Sequence, residues 1–430
     1  MRRLVETSPL LPLVLVSVTF PRGAAAEPQG HSGITRALAE LYRRGCLGPE
    51  PRDEAAMALL LDGLGAELRA TVGLSHVTLT LEVLRRNLEP AVEALATILR
   101  HPRFTEADRA RTVDKLVGDL LASRDDDAEL CRRALRAHLF GEHPHGRHPM
   151  GTAAGLESIT LADLRAHHQR LIGPDDAILG VAGDVDEGAC DMIQERLGAC
   201  LGGGVDRSTL GAPVEPVGRH LVVVDKPGRA QVQLGVATLG THPLDPDQTA
   251  LEVGVTIFGG THTSLLTQAI RVDRGWSYDA SASLSVSRVR EMMAFWAAPA
   301  EGDAPACLAE MLRLFSTFLR EGVEPAQVAF ARRYLRGSWA FEVDTADKRL
   351  FLAVDRALYG LPRDHHERYL ERLEAVTAES VNGALRTRLS ADDLWVAAVG
   401  DAERQAPWLG AALGGDGAGV ERAVVVPYDE

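Results

Sequence analysis

Cysteine is sparse and poorly placed for chemistry. The chain has five, Cys46, Cys131, Cys190, Cys200 and Cys307, widely spaced and without a Cys-x-x-Cys pair. That excludes a disulfide framework and a zinc knuckle, and leaves five reduced structural thiols. Also missing are the phosphate loop G-x-x-x-x-G-K-[ST], a G-x-G-x-x-G turn after a strand, and the G-x-S-x-G nucleophile elbow. Their absence removes phosphate-loop, dinucleotide and serine-hydrolase readings. Positive charge is in deficit, with 46 lysines and arginines against 60 acidic residues and a formal net charge of −14. Long-range electrostatics therefore disfavours nucleic acid and membrane surfaces as partners.

What is present describes a globular chain. At 430 residues it exceeds the usual size of one hydrophobic core, and its 46% hydrophobic and 25% charged residues suit two folded domains. Arg2, Arg3, the apolar run from Leu10 to Phe20 and Ala24-Ala25-Ala26 imitate a secretory signal. Glu6, Pro9, Pro12 and Arg22 break the imitation, and Val14, Val16, Val18 and Phe20 suit a strand. The segment is read as a first β-strand and the location as cytoplasmic, or periplasmic if the first residues act as a signal.

Periodicity predicts helices over 34–41, 55–64, 88–99 and 108–123, and strands over 13–20, 77–81 and 178–182. The glycine and proline content of 201–218 predicts an exposed connector. The expected division is a first domain over 1–203, a linker over 204–217 and a second domain over 218–430. Two matches point to duplication. ILGVAGD at Ile178–Asp184 has a counterpart in LWVAAVGD at Leu394–Asp401, and the segment Val92–Leu116 parallels Met311–Leu335.

Several runs, taken in order, resemble the insulinase or pitrilysin-like (M16) peptidase family, in particular its two-domain bacterial and mitochondrial-processing-peptidase-like subunits. They are Phe20–Gly33, Gly141–Gly151 and Pro174–Asp186, then Phe258-Gly259-Gly260-Thr261-His262-Thr263-Ser264 and Ile270–Tyr278. The resemblance spans nearly the whole chain. It implies an α+β fold of two duplicated half-domains, each a mainly antiparallel sheet covered by helices, joined by a linker into a clam shell around an unfolded peptide.

Active members carry H-x-x-E-H on the first helix, two zinc-ligating histidines on one face with a glutamate base between them, and a third ligand farther along. Aligned on Gly33, this chain has Arg36, Ala37, Leu38, Ala39 and Glu40, and no glutamate within Lys115–Asp119. The resemblance thus implies a chain that binds no cofactor, with zinc in a partner subunit. Arg36 and Glu40 are expected to form a surface ion pair worth a few tenths of a kcal/mol. His138, His143, His145 and His148 invite a metal reading, but their spacing sets no two imidazoles on one helical face and a loop is expected. His167 and His168 point about 100° apart on a helix and read as exposed.

The family's Arg/Tyr pair maps onto Arg271 and Tyr278, which the resemblance assigns to binding substrate and stabilising the tetrahedral oxyanion. An arginine that stays charged and a phenol donor suit that chemistry. Spacing alone leaves a plainer reading, in which Arg271 pairs with Asp273 and Tyr278 is a half-buried strand residue. Gly259 and Gly260, read as the start of a helix, are candidates for close approach of substrate or partner backbone. The expected function is a zinc-free subunit acting in trans with a homologous zinc-bearing subunit on unfolded peptides, leader segments among them. The alternative is a non-enzymatic scaffold or assembly protein.

Overall fold

A computed structural model describes residues 1–172, 176–202, 210–414 and 420–428. Pro174, Asp175 and residues 204–209 of the expected linker lie outside them, and residues 210–217 have no regular secondary structure. The chain is α+β with two mixed sheets, one in each of two compact units. Among the described residues no helix is long and apolar enough to cross a membrane.

The first sheet holds β1 (Arg2–Thr7), β2 (Leu13–Phe20), β3 (Glu67–Val72), β4 (Val77–Leu84) and β5 (Ile178–Gly183) in the order β1-β5-β2-β4-β3. Only β1 and β5 run parallel; the other pairs are antiparallel. The second holds β6 (Arg219–Asp225), β7 (Gln233–Leu239), β8 (Ala280–Leu284), β9 (Met292–Ala297), β10 (Leu394–Gly400) and β11 (Val420–Pro427), ordered β11-β6-β10-β7-β9-β8. Its β6-β10-β7-β9-β8 portion repeats the first sheet strand for strand, including the single parallel pair. The ILGVAGD and LWVAAVGD runs are the equivalent strands β5 and β10. Their unbroken apolar sequence is the signature of strands covered on both faces.

The expected strand over Leu13–Phe20 is present but second in order. β1 precedes it, and its Arg2, Arg3 and Glu6 obscured the strand pattern. On one face of the first sheet, Val14, Val16, Val18 and Phe20 join Val77, Leu79 and Leu81 in a core closed by helices Ile34–Leu41 and Leu88–Arg100. The opposite face receives helix Ala346–Leu358, whose Leu350, Val354 and Leu358 lie on Leu15, Ala182 and Ile178. The second unit receives helix Asp127–Phe140 in the same way, with Leu130, Cys131 and Leu135 packed among Val222, Val224, Ala237 and Trp395.

Each unit therefore draws one helix from the other half of the sequence. The first comprises Met1–Leu120, Arg147–Thr209 and Ala340–Arg363, and the second the remainder. The exchange is absent from a contiguous division at 203 and 218, because periodicity marks an apolar helix face without naming the sheet that buries it.

Two runs singled out in the sequence meet at a glycine contact. Gly151, at φ +79°, closes the run Gly141–Gly151 against Gly33, where an added Cβ would stand 2.3 Å from the Gly33 Cα. Gly151→Ala therefore combines a strained backbone with a backbone clash, and is expected to cost about 2 kcal/mol or more in urea unfolding. A loss under 0.5 kcal/mol would show that the loop relaxes freely.

Candidate functional site

Helix Ile34–Leu41 carries the Arg36–Glu40 segment. Its first turn is held by Glu27, a buried carboxylate accepting from the Gly33 and Thr35 amides at 2.8 and 3.0 Å. Burial raises the Glu27 pKa, and these hydrogen bonds pull against the rise. Its other flank is held by His167 and His168 of helix Leu161–Leu171. His167 Nε2 lies 3.0 Å from Thr35 Oγ1, and His168 Nδ1 lies 2.8 Å from the Tyr42 hydroxyl. Both histidines are buried rather than exposed, which corrects the sequence reading. Adjacency separates them by about 100°, and each uses its direction to reach a different turn of the neighbouring helix.

The Arg36–Glu40 pair also departs from expectation. Glu40 is only 8% exposed, and three cations surround it, Arg36 at 3.2 Å, Lys115 at 3.5 Å and Arg43 at 3.9 Å. Lys115 reaches Asp119 as well, at 3.1 Å. Lys115 belongs to the segment where a distal ligand was sought, and it presents an ammonium group to Glu40. These residues do not fit zinc: one carboxylate faces two cations where further donors would have to stand. Among the described residues no three histidines, cysteines or acids cluster so as to hold a metal.

Desolvation drives His167 down to about 3 and His168 to about 4, from an ordinary value of 6.5. A base whose pKa falls on folding stabilises the native state fully above its unfolded value. That stability drains as pH drops below about 6.5, because the unfolded chain takes up protons that the folded chain refuses. Urea midpoints at pH 7.5 and 5.0 are expected to differ more in the native sequence than in His167→Gln/His168→Gln. Equal differences would remove these histidines as the cause. For the ion cluster, a double-mutant cycle of Glu40→Gln and Lys115→Met is expected to give a coupling of about 0.5–1 kcal/mol. A coupling near zero would reduce it to incidental proximity.

In the second unit, Arg271 lies in a wide helical turn, Gln268–Asp273, and Tyr278 lies just before β8. The structure brings the two together: the Arg271 guanidinium carbon is 4.9 Å from the centre of the Tyr278 ring. Tyr278 is 86% exposed. Arg271 has no carboxylate partner among the described residues, so the expected alternative pair with Asp273 does not form. Arg274 stacks similarly over Trp276 at 5.1 Å. The segment thus offers two guanidinium groups on aromatic faces, one of them on an exposed tyrosine.

Gly259 and Gly260 stand at the end of helix Gln248–Gly259, not at a helix start. A Cβ on Gly259 would lie 2.4 Å from that of Ala282, so the missing side chain lets β8 close onto the helix. Gly260 is exposed. The histidine run contributes structure: His145, fully buried, meets Glu291 at 2.9 Å, and Arg136 grips the same carboxylate at 2.9 and 3.2 Å. Burial opposes ionisation of Glu291, and the hydrogen bonds from His145 and Arg136 overcome it to hold the pKa below the usual range. Sequence carried no signal for this pairing, since the partners are 146 positions apart.

Comparison with known proteins matches both halves. The family model described as Insulinase (Peptidase family M16) covers residues 3–153, and that described as Peptidase M16 inactive domain covers residues 158–335. An uncharacterized zinc protease of Mycobacterium tuberculosis is 30% identical over 352 residues, 79% of this chain and 78% of that protein. The non-peptidase homolog YmxG of Helicobacter pylori is 20% identical over 93% of this chain and 91% of its own length. The crystal structure of a peptidase M16 inactive domain from Pseudomonas fluorescens superposes with a TM-score of 0.86 at 22% identity, covering 93% of this chain and 95% of that one. A protease from Helicobacter pylori superposes with a TM-score of 0.81 at 16% identity, covering 92% and 96%. These structural likenesses concern the fold.

Proposed function

The chain belongs to the M16 peptidase family, and from that premise we propose that it is a zinc-free subunit of a two-subunit metallopeptidase. Its partner is a homologous subunit carrying H-x-x-E-H and zinc, and its substrate an unfolded peptide, leader segments of precursor peptides among them. The carrying observation is a division of chemistry between the units. The helix Ile34–Leu41 is kept while its ligand positions are occupied by Arg36 and by Glu40 bound to Lys115. Tyr278 is meanwhile exposed and Arg271 half-buried beside it, with no neutralising acid on Arg271 among the described residues.

In this reading Arg271 and Tyr278 would donate to the oxyanion of the scissile carbonyl, while zinc held by the partner would supply the Lewis acid. The guanidinium keeps its charge throughout, and the phenol supplies a second, neutral donor. β8 is the last strand of its sheet and begins beside Tyr278, so an extended peptide can add to its open edge by main-chain hydrogen bonds. Gly259 acts indirectly, by letting β8 sit where it does.

The name of the Helicobacter relative, a non-peptidase homolog, favours a second reading as a scaffold without catalytic contribution. One experiment separates the two. The chain is purified alone and together with an M16 homologue bearing H-x-x-E-H, and zinc content and cleavage of a quenched fluorescent peptide are measured. The chain alone is expected to bind no stoichiometric zinc and cleave nothing, while the pair cleaves. Arg271→Ala or Tyr278→Phe is expected to lower kcat of the pair by about 10²–10³-fold with assembly intact. A stable but inert pair, or a pair indifferent to both substitutions, establishes the scaffold. Stoichiometric zinc and cleavage by the isolated chain overturn both readings.

A further inference from the structure

The first unit contains a cavity of about 690 Å³ that the proposed chemistry does not use. Its size falls within the range of ligand pockets, about 300–1,000 Å³. Its floor is apolar, formed by Leu13 and Leu15 of β2 with Ala66 and Ala182. Over it stands the turn between β1 and β2, where Leu10 is 88% and Leu11 62% exposed. Two adjacent leucines held in water between Pro9 and Pro12 are a cost to a monomeric surface unless something covers them.

The rim is acidic on both sides of that floor. Ala182, Leu15, Glu82 and Glu67 stand in one row across β5, β2, β4 and β3, so carboxylates begin where the apolar strip ends. On the other side stand Asp344, just before helix Ala346–Leu358, and Asp347 in its first turn. Nearby cations do not balance these charges. Arg69 serves both Glu67 at 2.6 Å and Glu82 at 3.8 Å. Lys348 serves Asp344 at 3.0 Å, and the lining Arg349 is held by Glu6 at 3.2 Å and by the Val343 carbonyl at 2.9 Å. Asp62 and Asp347 have no ion-pair partner among the described residues.

We infer that this cavity is a binding site for a peptide segment in which large aliphatic residues are flanked by lysine or arginine. The aliphatic side chains fill the floor beneath Leu10 and Leu11, and the flanking cations reach the unpaired carboxylates, their stems lying over apolar surface. Charge complementarity selects this occupant: an acidic segment meets repulsion on both sides, and a neutral apolar one leaves Asp62 and Asp347 partly desolvated without compensation. The site stands independently of the Arg271–Tyr278 reading.

The test is fluorescence anisotropy with a fluorescein-labelled hexapeptide GKLLKG on the full chain, with GELLEG and GKGGKG as controls. Saturable binding of GKLLKG is expected, at least tenfold tighter than either control and weakened by 0.5 M salt. Two cavity-lining variants, Leu10→Ser/Leu11→Ser and Asp62→Asn/Asp347→Asn, are each expected to weaken it at least fivefold with the circular dichroism spectrum unchanged. The site is refuted if GKLLKG fails to saturate below 1 mM, if the three peptides bind alike, or if both variants bind as the native chain does.

Discussion

A strand buried on both faces needs a layer on each side of its sheet, and the architecture follows from meeting that need twice. β5 and β10 are apolar from end to end. One face of each sheet is closed by helices of its own half. The other is closed by a single helix from the opposite half of the sequence, Ala346–Leu358 for the first sheet and Asp127–Phe140 for the second. Without these helices Leu15, Ala182 and Ile178, or Val222, Val224 and Trp395, would face water. Burial of such side chains is worth about 1.5–3 kcal/mol each, enough to fix where the helices go.

Covering by one helix leaves part of the first sheet's face open, and that incompleteness gives the first unit its cavity. Beyond Ala346 the floor of Leu13 and Leu15 is left between carboxylates, and the turn leucines are largely exposed. The opposite face of the same sheet carries helix Ile34–Leu41, which is held in place by its protein neighbours. Its N-terminus is satisfied by Glu27, its flank by neutral His167 and His168, and its last turn by the cations around Glu40. A carboxylate as buried as Glu40 would be costly alone, and Arg36 and Lys115 provide the positive charge that offsets it.

Much of this was legible in the sequence. Alternation gave β2 and β4, and the unbroken apolar run gave β5. Helical spacing placed the helices at Ile34–Leu41, Leu88–Arg100 and Glu106–Ser123 to within a few residues. Arg271 and Tyr278 were singled out through the family resemblance of their segment, and the structure adds only that the two side chains touch. Residues missed were those whose role depends on distant neighbours. Glu27 and Glu291 look like ordinary surface acids in sequence, and His167-His168 reads as a polar helix face. Nothing local announces that each is buried beside a donor more than a hundred positions away or, for Glu27, beneath the start of the next helix. The glycine pair was displaced for a similar reason. A glycine at the end of a helix and one at its start look alike until the strand packed against it, here β8 at Ala282, is known.

The sequence by itself determined the duplicated α+β plan, the absence of H-x-x-E-H from positions 36 to 40, and the presence of an arginine and a tyrosine seven positions apart. These are matters of residue identity and period, which a linear chain carries in full. The tertiary structure alone decided which sheet each exchanged helix covers, that Lys115 meets Glu40, and that Arg271 rests on Tyr278 rather than on Asp273. It alone also decided that two turn leucines overhang an acidic-rimmed cavity. Apart from the local Arg271–Tyr278 contact, each of these depends on long-range packing, where burial and the pairing of charge are set by residues that the sequence places far apart.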